Sequence, residues 1–78
     1  MGVILKEPLD IVVEVEDMEL PHRHRQAVEV ARCAALMIGF AAFDAAVERH
    51  PRDRVRLRHG IMTIRDTHRD AREDLAGR

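Results

Sequence analysis

Three prolines divide the 78-residue chain into segments whose hydrophobic patterns differ. Pro8 precedes a run, residues 9–16, in which apolar and acidic residues mostly alternate. A period of two with many β-branched residues is typical of a half-buried strand, and proline is tolerated at the first position of a strand. The sequence therefore predicts a first strand whose buried face carries Leu9, Ile11, Val13 and Val15.

The segment between Pro21 and Pro51 predicts one long helix. Its apolar residues recur at helical spacing, and the interruption by Gly39 costs only about 1 kcal/mol relative to alanine. Pro21 suits the first turn of a helix, and the residue before Pro51 is disfavoured in helical conformation. A helix over residues 21–49 would be about 42 Å long at 1.5 Å per residue.

Residues 54–65 predict a β-hairpin with a turn at residues 59–60. Two alternating runs flank this turn, and a two-residue turn that ends in glycine is a hairpin signal. In this register Arg56 faces Thr63 on one side of the hairpin. The other side carries the apolar pairs, Leu57 with Met62 and Val55 with Ile64.

The last segment predicts a short helix, with Asp66 or Thr67 as its N-cap and Asp70 as the partner of Thr67 in a capping-box pattern. Gly77 marks its end, and the tail 67–78 is expected to be helical or frayed. The predicted fold class is therefore α+β. Residues 1–78 form one domain in the order β-α-β-β, with one long helix packed on a three-stranded sheet and a short C-terminal helix.

The predicted long helix has two apolar faces, whereas a helix that packs on a sheet needs only one. We expect the bulky face to pack on the sheet and the small face to meet a second copy of the chain; the reverse assignment stays open. Monomers rarely leave large apolar patches exposed, so the pattern predicts a homodimer. The small face consists of Ala27, Ala31, Ala34, Ile38, Ala41 and Ala45, and the bulky face of Leu36, Phe40, Phe43 and Val47.

Charge is separated along the chain, although the net charge is only −1. Residues 1–20 carry six acids and one lysine, and residues 21–69 carry ten arginines and five acids. Acids and arginines neutralise each other if the first strand lies beside residues 54–58; otherwise the arginines are free to bind phosphates or an acidic protein. The candidate charged residues are Asp10, Glu14, Glu16, Arg52, Arg54, Arg56 and Arg58.

The residue inventory argues against catalysis. Serine and tyrosine are absent, Cys33 lies among apolar residues, and the glycines are isolated, so no nucleophile or phosphate loop stands out. The five histidines lack chelating spacing. We therefore assign no catalytic residue, no metal ligand and no cofactor, and keep one alternative, an acid–base or metal site at His59, Asp66 and His68.

These patterns favour a small non-enzymatic protein-interaction module, an adaptor, regulator or inhibitor of a larger assembly. Its partners would be a second copy of itself and a larger protein. The alternative partner is nucleic acid, bound by the arginines, although the strands offer no aromatic residue for base stacking. The longest apolar run, residues 33–43, is shorter than the roughly 20 residues that span a bilayer, and a single cysteine favours the cytoplasm.

Overall fold

The computed structural model describes residues 10–76, with side chains through Arg72, and has an α+β fold. The elements are β1 (Ile11–Glu16), β2 (Ala27–Cys33), α1 (Leu36–Arg49), β3 (Arg54–His59), β4 (Met62–Asp66) and α2 (Thr67–Ala76). The sheet is antiparallel with strand order β2-β1-β3-β4, and α1 packs on one of its faces. The predicted fold class and the C-terminal helix are confirmed, but the described sheet has four strands instead of three. Leu9 and Gly77 lie outside the described residues.

The prediction of a helix is wrong for the first half of residues 21–49, because the extra strand β2 lies there. Pro21 precedes a single 3-10 turn at His22–His24, in which the His24 N–H donates to the Pro21 carbonyl at 2.8 Å. The seven residues of β2 then pair with β1. Pairing with a neighbouring strand therefore outweighs the local helical spacing.

A β-bulge in β2 explains why its sequence resembles a helix. The residues paired with β1 run from Ala31 directly to Glu29, so Val30 is the extra residue. A bulge shifts the alternation of a strand by one, and residues three apart then share a face. Glu29 and Arg32 do so, and Arg32 Nη2 lies 2.6 Å from Glu29 Oε1. A spacing of three is also that of a helix face, so the sequence pattern was ambiguous here.

The second half of the predicted helix is α1, and its end is where the sequence placed it. The helix ends at Arg49, and the His50 N–H donates to the Ala46 carbonyl at 2.8 Å as the chain leaves the helix before Pro51. The start at Leu36 follows Ala35, which is extended. Only 14 residues are helical, which is close to the average length for globular proteins.

The core lies between α1 and the sheet, and the bulky helix face packs on the strands as predicted. Phe43 is buried, Phe40 and Val47 pack against the core, and Leu36 lies at its exposed rim. Met62, which the predicted hairpin register placed in this core, is instead 66% exposed. The buried core residues are Ile11, Val13, Val15, Cys33, Phe43, Ala46, Val55 and Leu57.

Gly39 sets the distance between α1 and the sheet. A Cβ atom at this position would lie 2.6 Å from Ile11 Cγ2 and 3.2 Å from Leu57 Cδ1. Both distances are shorter than the optimum for two carbon atoms, about 3.5–4.0 Å. The absence of a side chain therefore allows the start of α1 to lie directly on β1 and β3, which justifies a residue that weakens helices.

The hairpin of β3 and β4 turns one residue later than predicted. His59 pairs with Met62, so Gly60 and Ile61 form the turn. Gly60 has a φ of +60°, which a type II′ turn requires at its first central position. The predicted register is therefore wrong, because glycine is needed at the first turn position and not at the second.

A second bulge lies in β4. Thr63 pairs with Arg58, but the next paired residue is Arg65, which faces Leu57, so Ile64 is the extra residue. The predicted pairs of Met62 and Ile64 with Leu57 and Val55 therefore do not form. Ile64 still packs against the core.

Candidate interaction surfaces

The sheet face opposite α1, called the outer face below, carries the predicted charged residues in opposite pairs. β1 lies beside β3, which settles the question that the sequence left open. Glu14 faces Arg56 across the strands, and its Oε1 lies 3.9 Å from Arg56 Nε and 2.5 Å from Arg58 Nε. Glu16 faces Arg54. The arginines of β3 are therefore neutralised largely within the sheet, as cross-strand pairs of opposite charge allow.

Two other predicted charged residues lie away from these pairs. Arg52 is in the connection between α1 and β3, where its Nη1 lies 3.6 Å from Glu19 Oε1 at an exposed position. Asp10 precedes β1, and its Oδ2 lies 3.2 Å from His59 Nε2. Exposed pairs of this kind contribute little to stability, so neither residue defines a site.

Asp66 joins the end of β4 to the start of α2. Its side chain is only 3% exposed and pairs with Arg54, whose Nη2 donates to Asp66 Oδ2 at 2.6 Å. The other oxygen, Oδ1, accepts hydrogen bonds from the backbone N–H groups of His68 and Arg69 at 3.0 and 3.3 Å. Asp66 is therefore the N-cap of α2, and the alternative cap, Thr67, instead accepts the Val55 N–H.

These contacts lower the pKa of Asp66. Burial of the carboxyl would raise its pKa, but the hydrogen bonds from Arg54 and from the backbone of Arg69 and His68 hold the pKa below the ordinary value. The carboxylate is thus committed to holding α2 against β3. Sequence reasoning identified Asp66 as a cap but missed its pairing with Arg54, which is twelve residues away in the chain.

An exposed apolar surface lies where α1 begins and the β3–β4 hairpin turns. The first turn of α1 is at this end of the sheet because Gly39 lies on Ile11, and Ile11 pairs with His59 beside the turn. Ile61 is 99% exposed and Met37 is 80% exposed. We call this surface the apolar end, and it consists of Leu36, Met37, Ile38, Ile61 and Met62.

Within residues 10–76, the two edges of the sheet are formed by β2 and β4. β2 exposes Val28 and Val30, at 60% and 49%. At β4, Arg69 of α2 donates to the carbonyl groups of Thr63 and Ile64, at 3.1 Å each. One edge is therefore covered by a side chain of the same protein, whereas the other presents apolar side chains to solvent.

The small face of the predicted helix is divided between several elements. Ala27 and Ala31 lie on β2, and Ala34 lies in the connection to α1. Only Ile38, Ala41 and Ala45 share the exposed side of α1. These residues do not form one continuous stripe because the chain changes from strand to helix within the set.

The three residues of the alternative acid–base or metal site do not come together. His59 is at the start of the β3–β4 turn, whereas Asp66 and His68 are at the far end of β4, so the alternative acid–base site does not assemble. His68 instead lines a cleft of about 470 Å³ with His50, whose Nδ1 lies 3.3 Å from Asp53 Oδ2. Among the described residues, no three side chains of histidine, cysteine or acidic type are placed to hold a metal ion.

Comparison with known proteins gives no relative for this arrangement. Neither helix within residues 10–76 is long and apolar enough to cross a membrane. The chain matches no protein-family model, no curated protein and no solved structure.

Proposed function

We propose that the protein is a small non-enzymatic interaction module that acts as a homodimer in the cytoplasm, as an adaptor, regulator or inhibitor of a larger protein. The apolar end is the observation that carries this proposal. Large apolar side chains that are exposed together mark binding surfaces in proteins of this size. Ile61 is almost fully exposed, and an isoleucine at a turn has no local structural role that a polar residue could not fill.

The charge arrangement supports a protein partner over nucleic acid. A nucleic-acid surface needs arginines that are free to meet phosphates. Here Glu14 lies against Arg56 and Arg58, and Asp66 binds Arg54. The arginine face is therefore less available to phosphates than its sequence suggests, and the apolar end is the better contact surface.

The geometry of the polar residues also supports a non-enzymatic function. Catalysis needs a base within reach of a second polar group that orients it. Asp66 is fully engaged by Arg54 and α2, and His59 lies at the opposite end of β4. The buried free thiol of Cys33 fits a reducing compartment.

A site-specific cross-linking experiment tests the proposal. A photoactivatable amino acid is placed at position 61 and the protein is expressed in the cells from which the gene comes. We expect one adduct heavier than two copies of the 8.9 kDa chain, because the larger partner would cover this side chain. The double substitution Met37→Glu with Ile38→Glu should remove the adduct, since it places charge on the same surface.

The matched control carries the same probe at Glu48, an exposed residue near the other end of α1. An adduct specific to position 61 supports a partner at the apolar end. Equal labelling from both positions, or no adduct from either, would contradict the proposed function.

A further inference from the structure

We propose that the outer edge of β2 binds the same edge of a second copy, so that two four-stranded sheets join into one antiparallel sheet of eight strands. The inference rests on the homodimer of the proposed function and assigns its contact surface. It replaces the Ala-rich helix face, whose members the fold separates. Three features of β2 support it: its open edge, its bulge and its charges.

Among residues 10–76, no strand pairs with the outer edge of β2. On this side the described sheet ends at β2, a seven-residue strand that exposes Val28 and Val30. An edge strand presents unpaired backbone groups that can pair with another chain; a side chain can cover these groups, and charges on the edge exclude a partner whose charges do not match. The β4 edge is covered in this way by Arg69. The apolar side chains on β2 are what a strand that pairs with another chain would carry.

The bulge at Val30 restricts the registers that a symmetric pairing can adopt. Residues directly opposite each other in an antiparallel pair lie on the same face. Ala31 lies opposite Val13 and therefore faces α1, whereas Glu29 lies opposite Glu14 on the outer face. A symmetric pairing that placed Glu29 opposite the partner's Ala31 would join side chains from opposite faces.

The register shifted by one residue avoids this conflict. Glu29 then lies opposite the partner's Arg32, and both side chains are on the outer face. Val28 lies opposite the partner's Cys33, and both are on the face that carries α1. In a regular strand a two-fold axis could not produce this register, because neighbouring residues point to opposite faces. The bulge therefore makes the register consistent on both sides of the axis.

The charges of β2 are complementary in that register. Each chain places an acid at position 29 and an arginine at position 32, and symmetry brings them together twice. Within one chain, Arg32 Nη2 already lies 2.6 Å from Glu29 Oε1, and the hydrogen bond from Arg32 lowers the pKa of Glu29. In the dimer the two pairs form one ring of four alternating charges. A second copy of the chain is therefore the partner that this edge fits.

Charge reversal tests the register directly. Glu29→Arg places arginines at both positions 29 and 32 of each chain, and Arg32→Glu places acids at both positions. Each variant alone should raise the dimer dissociation constant by roughly tenfold or more, equivalent to about 1.4 kcal/mol. A 1:1 mixture of the two variants should recover the dimer, because every contact between chains is attractive again, although each chain retains like charges within itself.

Size-exclusion chromatography with light scattering and refractive-index detection measures these masses, with native mass spectrometry to identify the mixed dimer. Glu48→Arg makes the same charge change on the exposed side of α1 and should leave the dimer unchanged. A wild-type dimer that both reversals leave intact overturns the β2 contact but not the homodimer. A monomeric wild type overturns both, and the cross-linking at position 61 then separately decides whether a larger partner exists.

Discussion

The two edges of the described sheet, β4 and β2, differ in whether the chain itself covers them. At β4 the chain continues directly into α2, and Arg69 reaches back to the carbonyl groups of Thr63 and Ile64. At β2 the strand is longer, at seven residues against five, and Val28 and Val30 face solvent. Both strands carry a bulge, so a bulge alone does not distinguish them. The difference is that one edge is covered from within the chain.

This difference indicates how a small domain can direct its associations. A sheet of four strands has two edges, and each can pair with another chain. If both were open, copies could add at either side and the assembly would not close. Covering one edge, and leaving the other complementary to itself as proposed, would limit the assembly to two copies. The variants below change one edge at a time.

The largest effect is expected from Asp66→Ala, which removes the link between β4, β3 and α2. Arg54 would lose its partner and α2 its N-cap, and breaking a buried ion pair typically costs about 3–5 kcal/mol. Asp66→Asn retains the cap but not the charge, and should fall between this variant and the wild type. Urea unfolding followed by far-ultraviolet circular dichroism measures both; equal stability of all three proteins would contradict the assigned role.

Acid should weaken the same edge. A carboxyl whose pKa is lower in the folded than in the unfolded protein stabilises the fold above the unfolded pKa, which is about 3.9 for aspartate. This stabilisation is lost as the pH falls through the folded pKa. We expect the contribution of Asp66 to be complete at neutral pH and to decline below about pH 4. Unfolding of the wild type and Asp66→Asn from neutral to acidic pH measures it, and two parallel profiles would contradict it.

Arg69→Ala should open the β4 edge. The loss of hydrogen bonds from a partly exposed guanidinium to Thr63 and Ile64 is expected to cost about 1–2 kcal/mol. Because both edges are then open, light scattering should detect assemblies larger than the dimer. Arg72→Ala, in the same helix at an exposed position, is the matched control and should change neither property. A variant that remains dimeric would show that Arg69 does not guard this edge.

The smallest effects are expected from substitutions of Val30 and Ile64, the extra residues of the two bulges. Val30→Thr should change the free energy of unfolding by about 0.5 kcal/mol or less, because this side chain is half exposed. Ile64→Thr should cost more, about 1–2 kcal/mol, since Ile64 packs against the core. Chemical denaturation of both variants gives the comparison. If Val30→Thr proved the more destabilising in a monomeric sample, the two edges would not differ as described.

The sequence was sufficient to predict the elements whose patterns have one interpretation. The alternation in β1 and β3, and the end of α1 before Pro51, are set by local geometry, and the structure agrees. β2 could not be recognised in the same way, because the extra residue Val30 puts Glu29 and Arg32 on the same face of the strand although they are three residues apart. That spacing fits a helix equally well, and only pairing with β1 decides between the two.

The candidate surfaces depend even more on topology than the strands do. Met37 and Ile61 are far apart in the sequence and reach the same end of the sheet because Gly39 lies on β1 and β1 pairs with β3. The hairpin register also had to be known, and glycine fits either turn position until its φ is known. A sequence pattern can identify exposed apolar residues only after the elements that bury the others are established.

The absence of a side chain at Gly39 also affects the exposed surface above it, the apolar end. A methyl group there would lie 2.6 Å from Ile11 Cγ2, so either the Ile11 side chain or the start of α1 would have to shift. A shift of α1 would move Met37 and Ile38 relative to Ile61, which lies in the hairpin turn. The relative positions of the side chains in the apolar end thus depend on Gly39, a buried residue that a partner would not contact. The fit of a partner to this surface would therefore also depend on the missing Cβ atom of Gly39, which lies beneath the surface and outside the contact.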